Sequence, residues 1–381
     1  MPYGDDETAV SEILRGAALK VPFRGDEFAR FRQLLEADGF FGVPFRGDGY
    51  RRPVREALGE IHGVGVEAFA REVQGWPGRV VLIGEEGYPR GLMELEEPPV
   101  AIHVRGSLEI LEAPTLAVVG SRKINANDAR HTRELVQEVA RQGAVVISGG
   151  ALGTDAVAHR AVVDLGEATV VVLPTGVVRP SPRSHEALFQ KVLECGGALV
   201  SEYPPGVGVR KFHFRRRNGL IAAMARGVFV ARAAEKSGSL LTAEAAEVLG
   251  RPLAAMPGPP MDPLCRGCHE LIRSGARLVA SREDLLGWWW ECVPPEARRE
   301  RPAQGASPGG DCPLLREARE VSDGSGVFRL EALHRHTGRG AAELQVELLT
   351  HEMAGRVERL PGGAFRLTAS GAGTTTRPQQ P

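Results

Sequence analysis

Short runs of β-branched and small apolar residues, separated for the most part by helical stretches, constrain this chain more than any other feature of it. Seven such runs occur: VVLI (80–83), TLAVV (115–119), AVVIS (144–148), TVVVL (169–173), ALVS (198–201), VFVA (228–231) and PLAAM (252–256). A strand with one face in water alternates apolar with polar residues. These runs are apolar throughout, the pattern of strands covered on both faces in a parallel sheet. ARHTRELVQEVARQG (129–143), TDAVAHRAVVDLG (154–166), SHEALFQKVLECG (184–196) and SLLTAEAAEVLG (239–250) read as helices lying between them. Strand and helix in alternation predict a doubly wound α/β domain with a mostly parallel sheet, spanning 79–291 and closing near the tryptophans at 288–290.

At 381 residues the chain is too long for one core and long enough for two or three domains. Residues 1–78 read as a helical region, in which LGEIHGVGVEAFARE (58–72) has the form helix, Gly-x-Gly turn, helix. Such a hairpin can offer backbone N–H groups to a phosphate, and it serves equally as a plain packing unit. VPFRGDEF (21–28) and VPFRGDGY (43–50) form a two-copy repeat, short of what a solenoid needs. Beyond the α/β domain, 292–311 is rich in proline, glycine and charge and reads as a linker. Residues 312–368 carry three helical stretches followed by RVERLPGGAFRLT, a hairpin about a Gly-Gly turn, and that order makes a winged helix. The tail at 369–381 has the composition of a disordered segment.

The formal net charge of −1 removes the simplest case for a nucleic-acid-binding chain, a globally basic protein, so any such site has to show as a local cluster. No apolar run reaches the roughly 18 residues that a membrane helix needs. The first ten residues, MPYGDDETAV, lack the basic-then-apolar order of a secretory leader. A cytoplasmic protein with no membrane partner is expected. The five cysteines are too few and scattered for a disulfide framework, and the CxxC of Cys265 and Cys268, followed by His269, lacks the second pair that a structural zinc site usually has. Reduced thiols, with no metal and no cofactor, are the expectation.

In a doubly wound sheet, ligands sit beyond the carboxyl ends of the strands, and three segments there are candidates. TLAVVGSR ends a strand on Gly120, Ser121 and Arg122; small residues let backbone approach a phosphate, and a guanidinium grips one through two hydrogen bonds. AVVISGGALGTDAVAH ends another on Gly149 and Gly150, before a helix whose first N–H groups form an anion site. KSGSLLTAE opens a third helix with Ser237 and Ser239, residue types that cap helices and also contact phosphate. A glycine-rich turn between strand and helix is equally a structural necessity of this architecture. Neither GxGxxG after the first strand nor GxxxxGK[ST] is present, which argues against an ordinary dinucleotide enzyme or NTPase.

The sharpest local feature is RKFHFRRRN (210–218), with Lys211, Phe214, Arg215, Arg217 and Asn218 as candidate contacts. Interleaved cations and aromatics suit a single nucleic-acid strand, whose phosphates need charge and whose exposed bases need stacking surfaces. Read as a loop, the segment makes Asn218 the cap of the helix carrying LIAAMA (220–225). The alternative is a solvated basic loop with its aromatics turned into the core.

Taken in order, GEEGYPRGLMELEEPPVAIHVRGSLEIL (84–111), VVGSR, SGGALGTDAVAH, LPTGV, SEYPPG (201–206), KFHFRRRN (211–218), SGSLLTAEAAEVLGR (237–251) and MPG (256–258) resemble the motif series of the DNA-processing protein A (DprA/Smf) family. The likeness covers about 80–280. It implies an extended Rossmann-like sheet, a SAM-like N-terminal region and a C-terminal winged-helix domain. It further implies a protein without catalysis that binds and protects single-stranded DNA and loads the strand-exchange recombinase (RecA) onto it during DNA uptake and natural transformation. The resemblance also implies a homodimer through the Rossmann-like domain. The family's Arg of Gly-Ser-Arg and its Lys-x-x-Phe pair fall on Arg122, Lys211 and Phe214.

Four positions depart from the family pattern. KINANDAR follows Gly-Ser-Arg where Thr-x-Tyr-Gly is usual; His185 stands in SPRSH at the Asn of Tyr-Pro-x-x-Asn; Gly219 replaces the second Arg of Arg-Asn-Arg; and CRGCH (265–269) replaces Ser-x-Gly-x-Asn. Two other readings compete. One is a LOG-type nucleoside-monophosphate phosphoribohydrolase, whose Pro-Gly-Gly-x-Gly-Thr-x-x-Glu motif has its nearest counterpart in SGSLLTAEAAE without that spacing. The other is an adaptor acting through the winged helix. The stretch expected as its recognition helix, AAELQVELLTHEMAG (341–355), carries Glu343, Glu347 and Glu352 and no lysine or arginine. A helix facing a DNA groove brings positive charge to it, so 312–368 are expected to serve mainly protein contacts.

Overall fold

The computed structural model describes residues 14, 17–20, 23–36, 50, 52–64, 76, 78–294, 297, 313–323, 325–353, 356–360 and 363–368. The chain divides into two compact units, one made of 1–163 and 168–298, the other of 164–167 and 299–381. The first is built on nine strands: β1 (Arg79–Leu82), β2 (Ala101–Gly106), β3 (Thr115–Gly120), β4 (Val145–Ser148), β5 (Thr169–Val172), β6 (Ala198–Ser201), β7 (Gly227–Arg232), β8 (Leu253–Ala255) and β9 (Arg277–Leu278). They stand in the order β1-β2-β6-β5-β4-β3-β7-β8-β9. From β6 to β9 every pair is parallel. β2 joins β6 antiparallel, and β1 joins β2 the same way.

Every residue of β5, β6 and β7 is buried, and in β3 only Gly120 is not. That is why the runs are apolar without alternation: a strand with helices on both faces has no wet side. In chain order the helices are α1 (Gly25–Glu36), α2 (Arg52–Val64), α3 (Ala126–Arg141), α4 (Thr154–Val163), α5 (Glu186–Glu194), α6 (Lys211–Met224), α7 (Leu240–Val248), α8 (Arg266–Arg273) and α9 (Arg282–Cys292). Local chemistry starts several of them. The Asn125 side chain accepts from the Asp128 N–H at 2.9 Å and caps α3, and Ser281 and Asp284 form a reciprocal capping box on α9. α1 and α2 set Phe28, Phe31, Leu35, Val54 and Leu58 against Leu82, Val100 and Ala101 at the β1–β2 end of the sheet. The second helix of the expected 58–72 hairpin, and the second copy of the repeat except Tyr50, lie outside the described residues.

β2 escaped the apolar-run reading because AIHVRG contains a histidine and an arginine. His103 is nevertheless buried, with its Nε2–H donating to the Ala18 carbonyl at 2.9 Å and its ring set edge-on to Trp76. β9 is two exposed residues long, too short to signal itself.

The order of the strands locates a crevice. From β3 the chain works outward through β4, β5 and β6, then returns to place β7 on the other side of β3 and works outward again through β8 and β9. Connections that leave in opposite directions from neighbouring strands open a gap at their carboxyl ends, the usual ligand position in such sheets.

The second unit comprises α10 (Pro313–Val321), β10 (Val327–Arg329), α11 (Leu330–Thr337), α12 (Ala341–Met353), β11 (Val357–Arg359) and β12 (Ala364–Leu367). β12 lies between β10 and β11, antiparallel to both, and closes a core with Leu314, Phe328, Leu333, Leu344, Leu348 and Phe365. This is a winged helix; the three-residue β10 completes the sheet that the sequence showed only as a hairpin. Among the described residues no helix is long and apolar enough to cross a membrane, and no three His, Cys, Asp or Glu side chains are placed to share a metal ion. Cys268 instead sits buried beneath the Val230 carbonyl, where burial pushes its thiol up to about 12.

Burial holds His103 neutral by lowering its pKa from 6.5 to about 4. The unfolded chain therefore takes up a proton at this site in a pH range where the native chain does not, and stability falls as the pH drops from about 6.5 toward 4. The contribution lost amounts to about 3 kcal/mol near pH 4. Denaturant titrations across that range are expected to show this decline, with a shallower slope in His103→Gln.

Candidate nucleic-acid interface

The crevice between β3 and β7 is walled by loops that the backbone holds rigidly. After β3, the Ser121 N–H donates to the Arg232 carbonyl of β7 at 2.7 Å, and the Ser121 carbonyl accepts from the N–H and hydroxyl of Thr154, at 3.1 and 3.2 Å. The approach is close enough that a Cβ on Gly120 would lie 2.5 Å from the Thr154 hydroxyl, which is the reason for glycine there. Arg232 is itself buried and ion-paired with Asp128 of α3 and with Asp262. The result is a Gly-Ser-Arg turn anchored to two strands and to the start of α4, with the Arg122 side chain exposed.

The turn after β4 carries Gly149 and Gly150. Arg217 of α6 lies directly on Gly149: a Cβ there would fall within 0.9 Å of its Nη1. The guanidinium is only 5% exposed, and its Nη1 stands 3.6 Å from Oδ2 of Asp155, in the first turn of α4. That oxygen also accepts from the Ala151 N–H at 3.2 Å. Burial pushes the Asp155 carboxyl up, and the neighbouring Arg217 charge and the backbone N–H groups draw it back. Gly150 is buried, and its carbonyl accepts from Nδ1–H of His185 at 2.9 Å.

The basic–aromatic segment does not form a loop. Arg210 precedes the helix and Lys211 opens α6, so residues 211–218 make its first two turns and Asn218 lies inside the helix rather than capping it. Helical spacing then sorts the side chains by face. His213 turns inward, stacks on Tyr203 at 3.8 Å and donates to the Pro174 carbonyl at 3.0 Å. Arg216 turns sideways to Glu202 at 2.9 Å and Glu97 at 3.4 Å. Phe214 is half-buried, with the Arg122 guanidinium 5.2 Å and that of Arg217 6.0 Å from its ring centre. Asn218 donates to the Gly238 carbonyl at 3.0 Å, tying α6 to the loop in which the Ser237 and Ser239 hydroxyls meet at 2.7 Å.

These elements enclose a groove of about 430 Å³ lined by Gly120, Arg122, Phe214, Arg217, Asn218, Ser237 and Ser239. Gly149 lines an adjoining recess of about 130 Å³ that shares Arg122, Phe214 and Arg217 as its wall. Of the remaining candidates, Ser121 and Gly150 act through their backbone from behind the lining, while Lys211 and Arg215 are exposed on α6 outside it. Of the five cations in 210–217, Arg216 and Arg217 are paired with carboxylates. Asp155, Thr242 and Pro182 line the site without having been singled out. Asp155 is 62 positions from Arg217 in the chain, and an acid in a first helical turn reads as a dipole partner, so nothing local marks it.

Removing one member of a buried ion pair strands the other. Asp155→Ala is expected to lower the unfolding free energy by roughly 3–5 kcal/mol, and Asp155→Asn by less; equilibrium denaturation measures both.

A family model described as DNA recombination-mediator protein A matches residues 79–289, and one described as the DprA winged helix domain matches 324–363. Protein Smf of Escherichia coli is 36% identical over 287 residues, 74% of this chain and 75% of that protein. DNA processing protein DprA of Streptococcus pneumoniae is 39% identical over 218 residues, 57% of this chain and 76% of that protein. The solved structure of the Streptococcus pneumoniae protein superposes with a TM-score of 0.57 at 32% identity, covering 73% of this chain and 95% of that one. A structure of DNA processing protein A from Helicobacter pylori, described for its single-stranded DNA binding mode, gives 0.51 at 26% identity, covering 56% of this chain and 96% of that one. The match to the first model alone spans more than half of the residues, its sheet and crevice included, and this chain belongs to the DNA recombination-mediator protein A (DprA/Smf) family.

Proposed function

We propose that this protein binds single-stranded DNA in the groove at the ends of β3, β4 and β7, without transforming it chemically. One observation carries the reading: Phe214, half-buried, has the guanidinium groups of Arg122 and Arg217 at 5.2 and 6.0 Å from its ring centre where the strands end. An aromatic face flanked by fixed positive charge offers a base something to stack on and its phosphates something to pair with. Gly120, Ser121, Gly149 and Gly150 shape the backbone, Asn218, Ser237 and Ser239 supply polar groups, and Lys211 and Arg215 extend the charge along α6. The family supports the rest: protection of the strand, loading of the strand-exchange recombinase (RecA) during natural transformation, and a homodimer through the Rossmann-like domain. The domain plan goes with it: a SAM-like region over 1–78, the Rossmann-like domain over 79–291 and a linker to 312.

Binding isotherms on single- and double-stranded oligonucleotides at several salt concentrations test the site. Single strands are expected to bind more tightly. Arg122→Ala and Lys211→Ala should each weaken binding and flatten the log–log salt slope by about 0.7, one phosphate's share on a single strand. Phe214→Ala should lose roughly 1–3 kcal/mol while keeping the wild-type slope, because a stacking surface and no charge is removed. Tighter binding to duplex, or unchanged slopes in folded Arg122→Ala and Lys211→Ala, overturns the reading.

The winged helix is read as a surface for protein. Within α12, Glu347 is ion-paired with Arg339, which stands just before the helix, while Leu349 is 51% exposed. A helix with this charge repels phosphate. A chain truncated near residue 300 keeps the whole core of the first unit and is expected to bind single strands within a few-fold of the full-length affinity. A folded truncation that loses most of that affinity places the winged helix in the DNA site.

A further inference from the structure

We infer that Arg179 and Arg183, on the loop between β5 and α5, form a second phosphate-binding station that carries a single strand onward from the groove; the inference rests on the reading of the groove as a single-strand site. The loop is fixed from both sides. Its first part lies on the segment leading into α6: the Gly176 N–H donates to the Val207 carbonyl at 2.9 Å, the Val178 N–H donates to the Pro205 carbonyl at 3.2 Å, and the Pro174 carbonyl accepts from His213 at 3.0 Å. Its last part lies on the turn after β4, through the bond from His185 to the Gly150 carbonyl. Between these anchors Ser181 and Pro182 line the recess beside Arg122 and Phe214, and the arginines on either side of them, Arg179 and Arg183, are exposed. A strand leaving the groove past Phe214 meets this loop next.

Charge singles out the same loop. Segments 120–127, 149–154, 173–185 and 203–219 contain no aspartate or glutamate, in a chain with 48 of them and a net charge of −1. Among the described residues Arg179, Arg183, Arg210 and Lys211 have no carboxylate partner, whereas Arg216 and Arg217, on the same helix as Lys211, are both paired. Loops that keep their cations free and carry no acid of their own suit a polyanion longer than the groove itself. The two arginines are 57 positions beyond Arg122 or more in the chain, so the station exists only where the fold sets the loops side by side.

The test uses the full chain and oligothymidylates of two lengths, about six and about twenty nucleotides, so that one fills the groove and the other overruns it. Arg179→Ala/Arg183→Ala is expected to leave binding of the short strand unchanged. On the long strand it should flatten the log–log salt slope by about 1.4 and weaken binding roughly tenfold near 0.1 M salt. Arg179→Glu/Arg183→Glu should weaken the long strand further, again sparing the short one. If either double variant binds the long strand with the wild-type slope while Arg122→Ala still lowers it, the station is overturned and the groove stands. If Arg122→Ala also leaves both strands unaffected, the groove reading fails and the station with it.

Discussion

A parallel sheet covered on both faces leaves its strands only their ends for meeting a ligand, and the site in this structure follows from that constraint. β5, β6 and β7 are buried throughout, so no side chain along them can meet a ligand. The carboxyl ends of β3 and β7 diverge because their connections run to opposite sides. What makes this gap a site is how tightly its walls are fastened. Backbone hydrogen bonds tie Ser121 to Arg232 and to Thr154, Asn218 ties α6 to Gly238, and His185 ties the β5–α5 loop to Gly150. Groups fixed before a ligand arrives need less ordering when it does, and that lowers the entropic cost of binding.

Arginine has two uses in this molecule, and burial separates them. Arg217 and Arg232 are nearly inaccessible, and each stands against carboxylates, Asp155 in one case and Asp128 and Asp262 in the other. A buried guanidinium without such a partner would be costly, so these residues organise the walls. Arg122, Arg179, Arg183 and Arg210 are exposed, and among the described residues none has a carboxylate partner. In water an exposed cation needs none, and its charge remains free to act on a ligand. Arg217 joins the two uses, since it is neutralised from behind by Asp155 and lies within 6.0 Å of the Phe214 ring in front.

Much of this was legible beforehand, for reasons that can be named. Apolar runs without alternation, with helical stretches between them, suit a doubly covered sheet, and Gly-Ser-Arg and Gly-Gly directly after two of them then fall at strand ends. At 210–218 sequence and structure differ. A dense mixture of cations and aromatics suggests a loop that offers charge and stacking surfaces to a strand, and the regular hydrogen bonding of α6 does not show in the sequence because its first two turns bury different residues on three faces. Asn218 looked like a cap for the same reason, being polar and followed by LIAAMA, although its partner is the Gly238 carbonyl rather than its own helix.

The amino-acid order by itself determined the class of fold, the family, and which residues stand where strands end, because periodicity and turn chemistry are local properties read over a few positions. Tertiary structure alone decided which cations are available. Glu202 lies close to Arg216 in the chain, but Asp155 is far from Arg217, and Asp128 far from Arg232. Whether a guanidinium is spent on a carboxylate or left for a phosphate depends on distances between segments that only folding brings together. The same holds for Phe214: its chemistry is written in the sequence, while its position beside two guanidinium groups is a product of packing α6 across the ends of β3 and β4.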